Sequence, residues 1–272
     1  MLPAFTEQLV PVELQGSRRD LYVTQPTSFS TRLTLICLHG WTLDYRSFSA
    51  QRTLANHGVR LVRFDRRGFG GSKVAPDFQC ELQDLDALIS LCDTPVILYG
   101  VSQGARLALR YAVLGGYPLA GLILQGGHVD GLVVDDTPHE AIPFETYRQW
   151  LKQGEIDRFR QHWSQHPLVN AGMDKKTSKD VLSLIERYDG ADLLTRGALP
   201  TAIDIRADLA LLSLPILTVV GSLEVASRKL HAQAIQSLTG AHALNIAGGG
   251  HLCHVSHAQQ VNEGIKAWLD GL

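Results

Sequence analysis

Leu98-Tyr99-Gly100-Val101-Ser102-Gln103-Gly104-Ala105 is the stretch on which the fold turns. It sets a serine between two glycines in the pattern G-x-S-x-G. The apolar run Pro95 to Tyr99 (PVILY) precedes it and predicts a strand; the Ala- and Leu-rich run Gln103 to Val113 comes after it and predicts a helix. A chain that passes from strand to helix here puts Ser102 on a sharp turn. Gly100 and Gly104 carry no side chains, so strand and helix can come close enough to make that turn. The hydroxyl then stands exposed at a helix N-terminus, where developing negative charge is favoured. An ordinary glycine-flanked turn has the same pattern, but the strand before and the helix after favour a nucleophile.

Outward from this turn, strand-like and helix-like segments alternate. Glu7–Leu14 and Asp20–Thr24 predict a hairpin around Gly16. Leu33–Leu38 (LTLICL) is a continuous apolar run, as expected of a strand buried on both faces. Val59–Phe64, Leu119–Leu124, Pro215–Val220 and His242–Ile246 predict further strands; Phe48–Asn56, Leu82–Leu91, Ser227–Leu238 and Ala258–Leu269 predict helices. Such alternation implies an α/β fold, a parallel sheet with helices on both faces. Between Gly127 and Ala210 the rhythm breaks into helix-like pieces with Phe144, Tyr147, Trp150, Phe159, Trp163 and Tyr188. The expected organisation is a core of residues 1–126 and 211–272 with a helical cap, 127–210, inserted into it.

Of 272 residues, 45% are apolar, enough for a sizeable core. Twenty-five basic against 27 acidic residues give a net charge of −2, so no electrostatic feature calls for nucleic acid or an anionic membrane. Met1 to Asp20 mixes Pro3, Glu7, Pro11, Glu13 and Arg18 with short apolar runs, unlike a secretory leader. Ala207 to Gly221 is too short to span a bilayer and contains Asp208 and Pro215. Cys37, Cys80, Cys92 and Cys253 show no CxxC spacing. A reduced, cytoplasmic chain acting on a small molecule is expected.

A serine nucleophile needs a base. Among 11 histidines, His251 stands out, because it follows Gly248-Gly249-Gly250 just beyond the last strand. His254 and His257 continue a spacing of three, but solvated surface histidines are the simpler reading, and neither metal nor cofactor is expected. A base needs an orienting carboxylate at a strand end. Glu224 follows the strand Pro215–Val220, and Asp130, after Leu119–Leu124, competes with it; position favours Glu224. An oxyanion needs two preorganised N–H donors. Gln103 supplies one, and Trp41, in the loop His39-Gly40-Trp41, the other; the Trp41 ring either lines an acyl pocket or belongs to the core.

LICLHGW ending at Trp41, FDRRGFGGS (Phe64–Ser72), LYGVSQGARLAL from Leu98, PILTVVGSLE from Pro215 and GGGH ending at His251 together resemble the α/β-hydrolase superfamily. The similarity is to its branch of small esterases, enol-lactonases and C–C bond hydrolases. It implies an eight-stranded, mostly parallel sheet with a helical lid after the sixth strand. The order Ser102, Glu224, His251 is the family's order of nucleophile, acid and base, although the family usually has Asp where Glu224 stands. The DxRGxGxS stretch reads as a structural turn. The reaction so implied is hydrolysis of an ester, thioester or lactone of a small apolar or aromatic substrate through an acyl-serine. The alternatives are a C–C hydrolase or lyase, or a ligand-binding receptor with little turnover. Dehalogenases and epoxide hydrolases of this fold need a carboxylate at the elbow, which Ser102 argues against.

Overall fold

A computed structural model describes residues 5–27 and 30–272; Met1–Ala4, part of the segment read for a leader, lie outside them. The chain begins as a hairpin of β1 (Phe5–Leu14) and β2 (Ser17–Pro26). Gln15 (φ 51°) and Gly16 (φ 69°) both take left-handed backbone at its two-residue turn, which matches the twist of the flanking strands. Six strands come next: β3 (Leu33–Leu38), β4 (Val59–Phe64), β5 (Val96–Val101), β6 (Gly121–Gln125), β7 (Ile216–Gly221) and β8 (His242–Ile246). They form one eight-stranded sheet in the order β1-β2-β4-β3-β5-β6-β7-β8. Pairing is antiparallel from β1 to β2 to β4 and parallel elsewhere.

All six positions of β3 and of β5 are buried, as their unbroken apolar runs require. Alternate residues feed two layers. Leu35, Cys37, Tyr99 and Val219 pack with Phe48, Leu54 and Ile265 on one face. Ile36, Leu38, Leu98 and Leu122 pack with Leu85, Leu107 and Ile235 on the other. Leu85 belongs to α1 (Cys80–Ser90) and Leu107 to α2 (Gln103–Leu114). Between β6 and β7 lie α3 (Phe144–Lys152), α4 (Ile156–Ser164), α5 (Pro167–Asn170), α6 (Lys175–Ile185), α7 (Ala191–Leu194) and α8 (Arg206–Leu209); α9 (Ala226–Thr239), α10 (Cys253–Ser256) and α11 (Ala258–Leu269) complete the chain. No strand occurs among residues 127–210. Val129, Ile205 and Leu209 are buried in the sheet-face cluster with α2, whereas Tyr147, Phe159, Trp163 and Tyr188 join Trp41 on the opposite side.

The segment expected to be a helix over Phe48–Asn56 is a 3₁₀ helix, Tyr45–His57, kinked at Phe48 and ended by Gly58 at φ 75°. Local side chains explain the tighter turn. The Ser47 and Ser49 hydroxyls donate to the Asp44 and Arg46 carbonyls, three residues back, and Thr53 does the same to Ala50.

Register brings the functional strand ends to one edge. Leu38 pairs with Gly100, Gly100 with Leu124, and Gly221 with Ile246. At this edge a Cβ on Gly104 would stand 2.0 Å from the Leu38 carbonyl oxygen, and one on Gly100 would stand 2.4 Å from the Ala105 Cα. The backbone itself is the obstacle, so no side-chain rotation relieves it. Gly104→Ala is therefore expected to lower the unfolding free energy by at least about 3 kcal/mol, the upper range for an overpacked core. Urea denaturation of the purified variant checks this, and a near-native midpoint would refute the close approach.

Candidate active site

Ser102 caps α2 with φ 55° and ψ −116°, a conformation non-glycine residues avoid. Its N–H donates to Gln125 O at 2.7 Å, and its own carbonyl accepts from Ala105 and Arg106 at 3.0 and 3.1 Å. The turn is thus fixed from both sides while the side chain stays partly exposed.

His251 and Glu224 come together. His251 Nδ1 lies 2.7 Å from Glu224 Oε2, both side chains being buried. A carboxylate only accepts, so the ring proton sits on Nδ1 and Nε2 is left as an acceptor. Nε2 is buried and has no partner among the described residues. The other carboxylate oxygen accepts the Val225 N–H at 2.9 Å. Ser102 and His251 line one cavity of about 40 Å³ together with Gly40, Trp41, Ile142, Trp163, Leu168 and Arg228. Asp130 stands elsewhere, its oxygens taken by Arg106 and Arg110 of α2.

The loop after β3 lies against the elbow: a Cβ on Gly40 would fall 3.3 Å from the Ser102 Cβ. Its conformation is set by His39, whose Nδ1–H donates to Gly40 O at 2.9 Å and whose Nε2 accepts the Arg66 N–H at 3.0 Å. Thr42, β-branched yet at φ 63°, is held by Trp163, whose Nε1–H donates to the threonine hydroxyl at 2.8 Å. The Trp41 indole N–H donates to Asp192 at 2.8 Å, and the Tyr188 hydroxyl donates to the other oxygen of the same carboxylate. The Trp41 ring both lines the cavity and packs in the core. Neither the Trp41 nor the Gln103 backbone N–H donates to another group among the described residues. The Gln103 side chain turns away and accepts from Arg66 at 3.0 Å.

The DRRG stretch forms a braced turn. Asp65 accepts N–H bonds from Tyr45 and Gly71 at 2.9 and 2.6 Å, and Arg66 and Arg67 pair with Glu81 and Asp84.

His254 departs from the expected surface position: it is fully buried. The cause is Gln125 at the end of β6, whose amide donates to His251 O at 2.8 Å and to His254 Nδ1 at 2.9 Å. His257 instead meets Ser256 at 2.8 Å, so the three histidines do not converge. Among the described residues no three His, Cys, Asp or Glu side chains are grouped as metal ligands, and no helix is long and apolar enough to cross a membrane. Gln125, Asp192 and Arg228 are silent in the sequence, since none lies in a motif.

Comparison with known proteins agrees with this architecture. Residues 35–263 match the model of the alpha/beta hydrolase family, and the chain belongs to that family. It is 25% identical over 249 residues to the biotin biosynthesis bifunctional protein BioHC of Cellvibrio japonicus, covering 89% of this chain but only 48% of that one. It is 27% identical over 253 residues to the pimeloyl-[acyl-carrier protein] methyl ester esterase of Xanthomonas campestris, covering 88% and 95%. Among solved structures, MenH from S. aureus superposes with a TM-score of 0.79 at 19% identity, covering 92% of this chain and 98% of that one. The enol-lactonase from Burkholderia xenovorans gives 0.78 at 12% identity, covering 96% and 100%.

Four histidines are uncharged in the fold. Burial lowers His39, His231 and His254 to about 3 and His128 to about 4, with the Arg66 charge adding to it at His39 and the Arg228 charge at His128 and His231. In the unfolded chain each titrates near about 6.5. Their contribution to stability is full above the unfolded value and is lost as pH falls toward 4 and below. At about pH 5, unfolding takes up roughly four protons through these residues, each adding about 1.4 kcal/mol per pH unit to the slope of stability. His254→Gln is expected to reduce that slope by about one proton, measured by urea denaturation between pH 6.5 and 4.5. An unchanged slope would mean that His254 is protonated in the native state.

Proposed function

We propose that the chain is a serine hydrolase that cleaves a carboxylic ester, thioester or lactone of a small substrate. The observation that carries this is the Nε2 of His251, unpartnered among the described residues, on a ring held by Glu224 in the cavity that Ser102 also lines. Esterase relatives at low identity support the same reading. Ser102 Oγ attacks the carbonyl carbon as its proton passes to His251 Nε2. Glu224 stabilises the resulting imidazolium, and the N–H groups of Trp41 and Gln103 stabilise the oxyanion. When the tetrahedral adduct collapses, the leaving oxygen or sulfur takes the proton from His251. Water, deprotonated by the same nitrogen, then releases the acid and restores the serine. The chain's own groups suffice for these steps.

Residues 127–210 serve as the cap. A cavity of about 40 Å³ admits no more than a few waters, whereas small-molecule sites usually offer about 300 Å³ or more. Helices α3 to α7 therefore shift outward to admit substrate.

Ser102→Ala is expected to lower kcat on a chromogenic short-chain ester by about 10⁴- to 10⁶-fold with the melting temperature retained, and a serine-directed organophosphonate should label the wild type only. Glu224→Gln should cost about 10³- to 10⁴-fold, Asp130→Asn far less. Unchanged turnover in folded Ser102→Ala would refute the assignment; the reverse order of the two acids would move the orienting carboxylate to Asp130.

A further inference from the structure

Apart from Ser102, His251 and Thr42, the cavity walls are apolar except for one cation. Ile142, Leu168, Val169 and Leu252 share them with Arg228, the third residue of α9. Arg228 is half-buried as a residue, with its Nε fully covered. The buried arginines each face a carboxylate: Arg19 and Arg67 meet Asp84, Arg63 meets Glu7, Arg66 meets Glu81 and Arg110 meets Asp130. Arg228 has none within 4.0 Å among the described residues. Its Nη1 donates to His128 Nδ1 at 3.0 Å, and its Nε is buried without a partner among those residues. His128 is no counterion, because burial and the Arg228 charge hold it neutral, and it packs on the neutral His231 with ring centroids 4.3 Å apart.

The nearest anions are already occupied or remote. Glu224 gives one oxygen to His251 and the other to Val225, and Asp136 lies on an exposed loop. Burial weakens the hold of Arg228 on its proton, and Arg106 adds like-charge repulsion. The position in the first turn of α9 adds a further cost, since the helix dipole there favours negative charge. A guanidinium whose Nε is buried beside the reacting groups, with no counterion within 4.0 Å among the described residues, has that N–H and its charge free for something that the free protein does not contain.

We propose that Arg228 binds a carboxylate of the substrate, so that the chain hydrolyses esters or lactones of an acid bearing a second, free carboxylate. This rests on the hydrolase reading above and names its substrate class. One guanidinium calls for one negative charge; a phosphate dianion would leave an unbalanced charge among Ile142, Leu168 and Val169. A charge-assisted pair in such surroundings favours the anionic ligand by about 10- to 100-fold.

The test compares the p-nitrophenyl monoester of adipate with p-nitrophenyl 6-methylheptanoate, in which an isopropyl group replaces the carboxylate; suberate and 8-methylnonanoate form the longer pair. In wild type, kcat/KM should favour the carboxylate ester about 10- to 100-fold at equal chain length for at least one pair. Arg228→Met should bring that ratio to about 1, and Arg228→Lys should keep part of it. A wild-type ratio near 1 for both pairs, or a ratio that survives Arg228→Met, overturns the proposal while neutral-ester turnover dependent on Ser102 leaves the hydrolase reading standing. Calorimetry on Ser102→Ala separates the two further. There the adipate monoester should bind more tightly than its neutral partner by the same factor, and equal affinities would count against Arg228 whether or not wild type turns over either ester. A purely structural Arg228 would alter the melting temperature of Arg228→Met and leave both ratios unchanged.

Discussion

Backbone touching backbone is the constraint on which this molecule rests. The start of α2 meets the ends of β3 and β5 so closely that Gly104 faces the Leu38 carbonyl and Gly100 faces Ala105 with no space for a methyl group. The same device recurs around the site. A Cβ on Gly126 would lie 2.3 Å from the His251 ring, one on Gly221 would lie 2.2 Å from the Gly249 carbonyl, and one on Gly250 would lie 2.1 Å from the Ala171 carbonyl. Each missing side chain lets one more loop converge on Ser102. The strained serine, costing about 1–3 kcal/mol, is held by the buried strands on either side and by the bond from its N–H to Gln125.

Charge performs a second kind of bracing. Arg66 is fully buried and joins four parts of the chain, with hydrogen bonds to Glu81, His39 O and Gln103 Oε1 and its own N–H on the His39 ring. The loop His39-Gly40-Trp41, α2 and α1 are thus set relative to one another by a single guanidinium. Removing one member of such a buried pair typically costs about 3–5 kcal/mol, because the survivor is left uncompensated. The Asp65–Gly68 turn therefore acts as the keystone of the loop His39-Gly40-Trp41.

The legible part of the sequence is local. LTLICL and PVILY announce buried strands because an apolar run of that length has few other uses, and the glycines flanking Ser102 encode a turn within five residues. Glu224 and His251 can be found because each follows a strand that is itself legible. Gln125, Asp192 and Arg228 cannot, because their meaning depends on partners 129, 151 and 100 positions away. His254 misleads for the same reason: polarity suggests the surface, and only the Gln125 amide explains its burial. The Tyr45–His57 segment reads as an ordinary helix because period alone does not distinguish 3₁₀ from α when serine hydroxyls compete for the carbonyls.

The aromatic knot around Trp41 has an optical consequence. Trp41 sits on a loop of the sheet, while Trp163 belongs to α4, and their rings meet edge to face with centroids 4.8 Å apart. Phe144, Phe159 and Tyr188 crowd the same indole. Two of the chain's four tryptophans therefore share one dry contact across the boundary between sheet and insertion. Any outward swing of α4 parts them and wets both, shifting their emission to longer wavelength. Such a movement would thus report itself in the protein's own light, without a label.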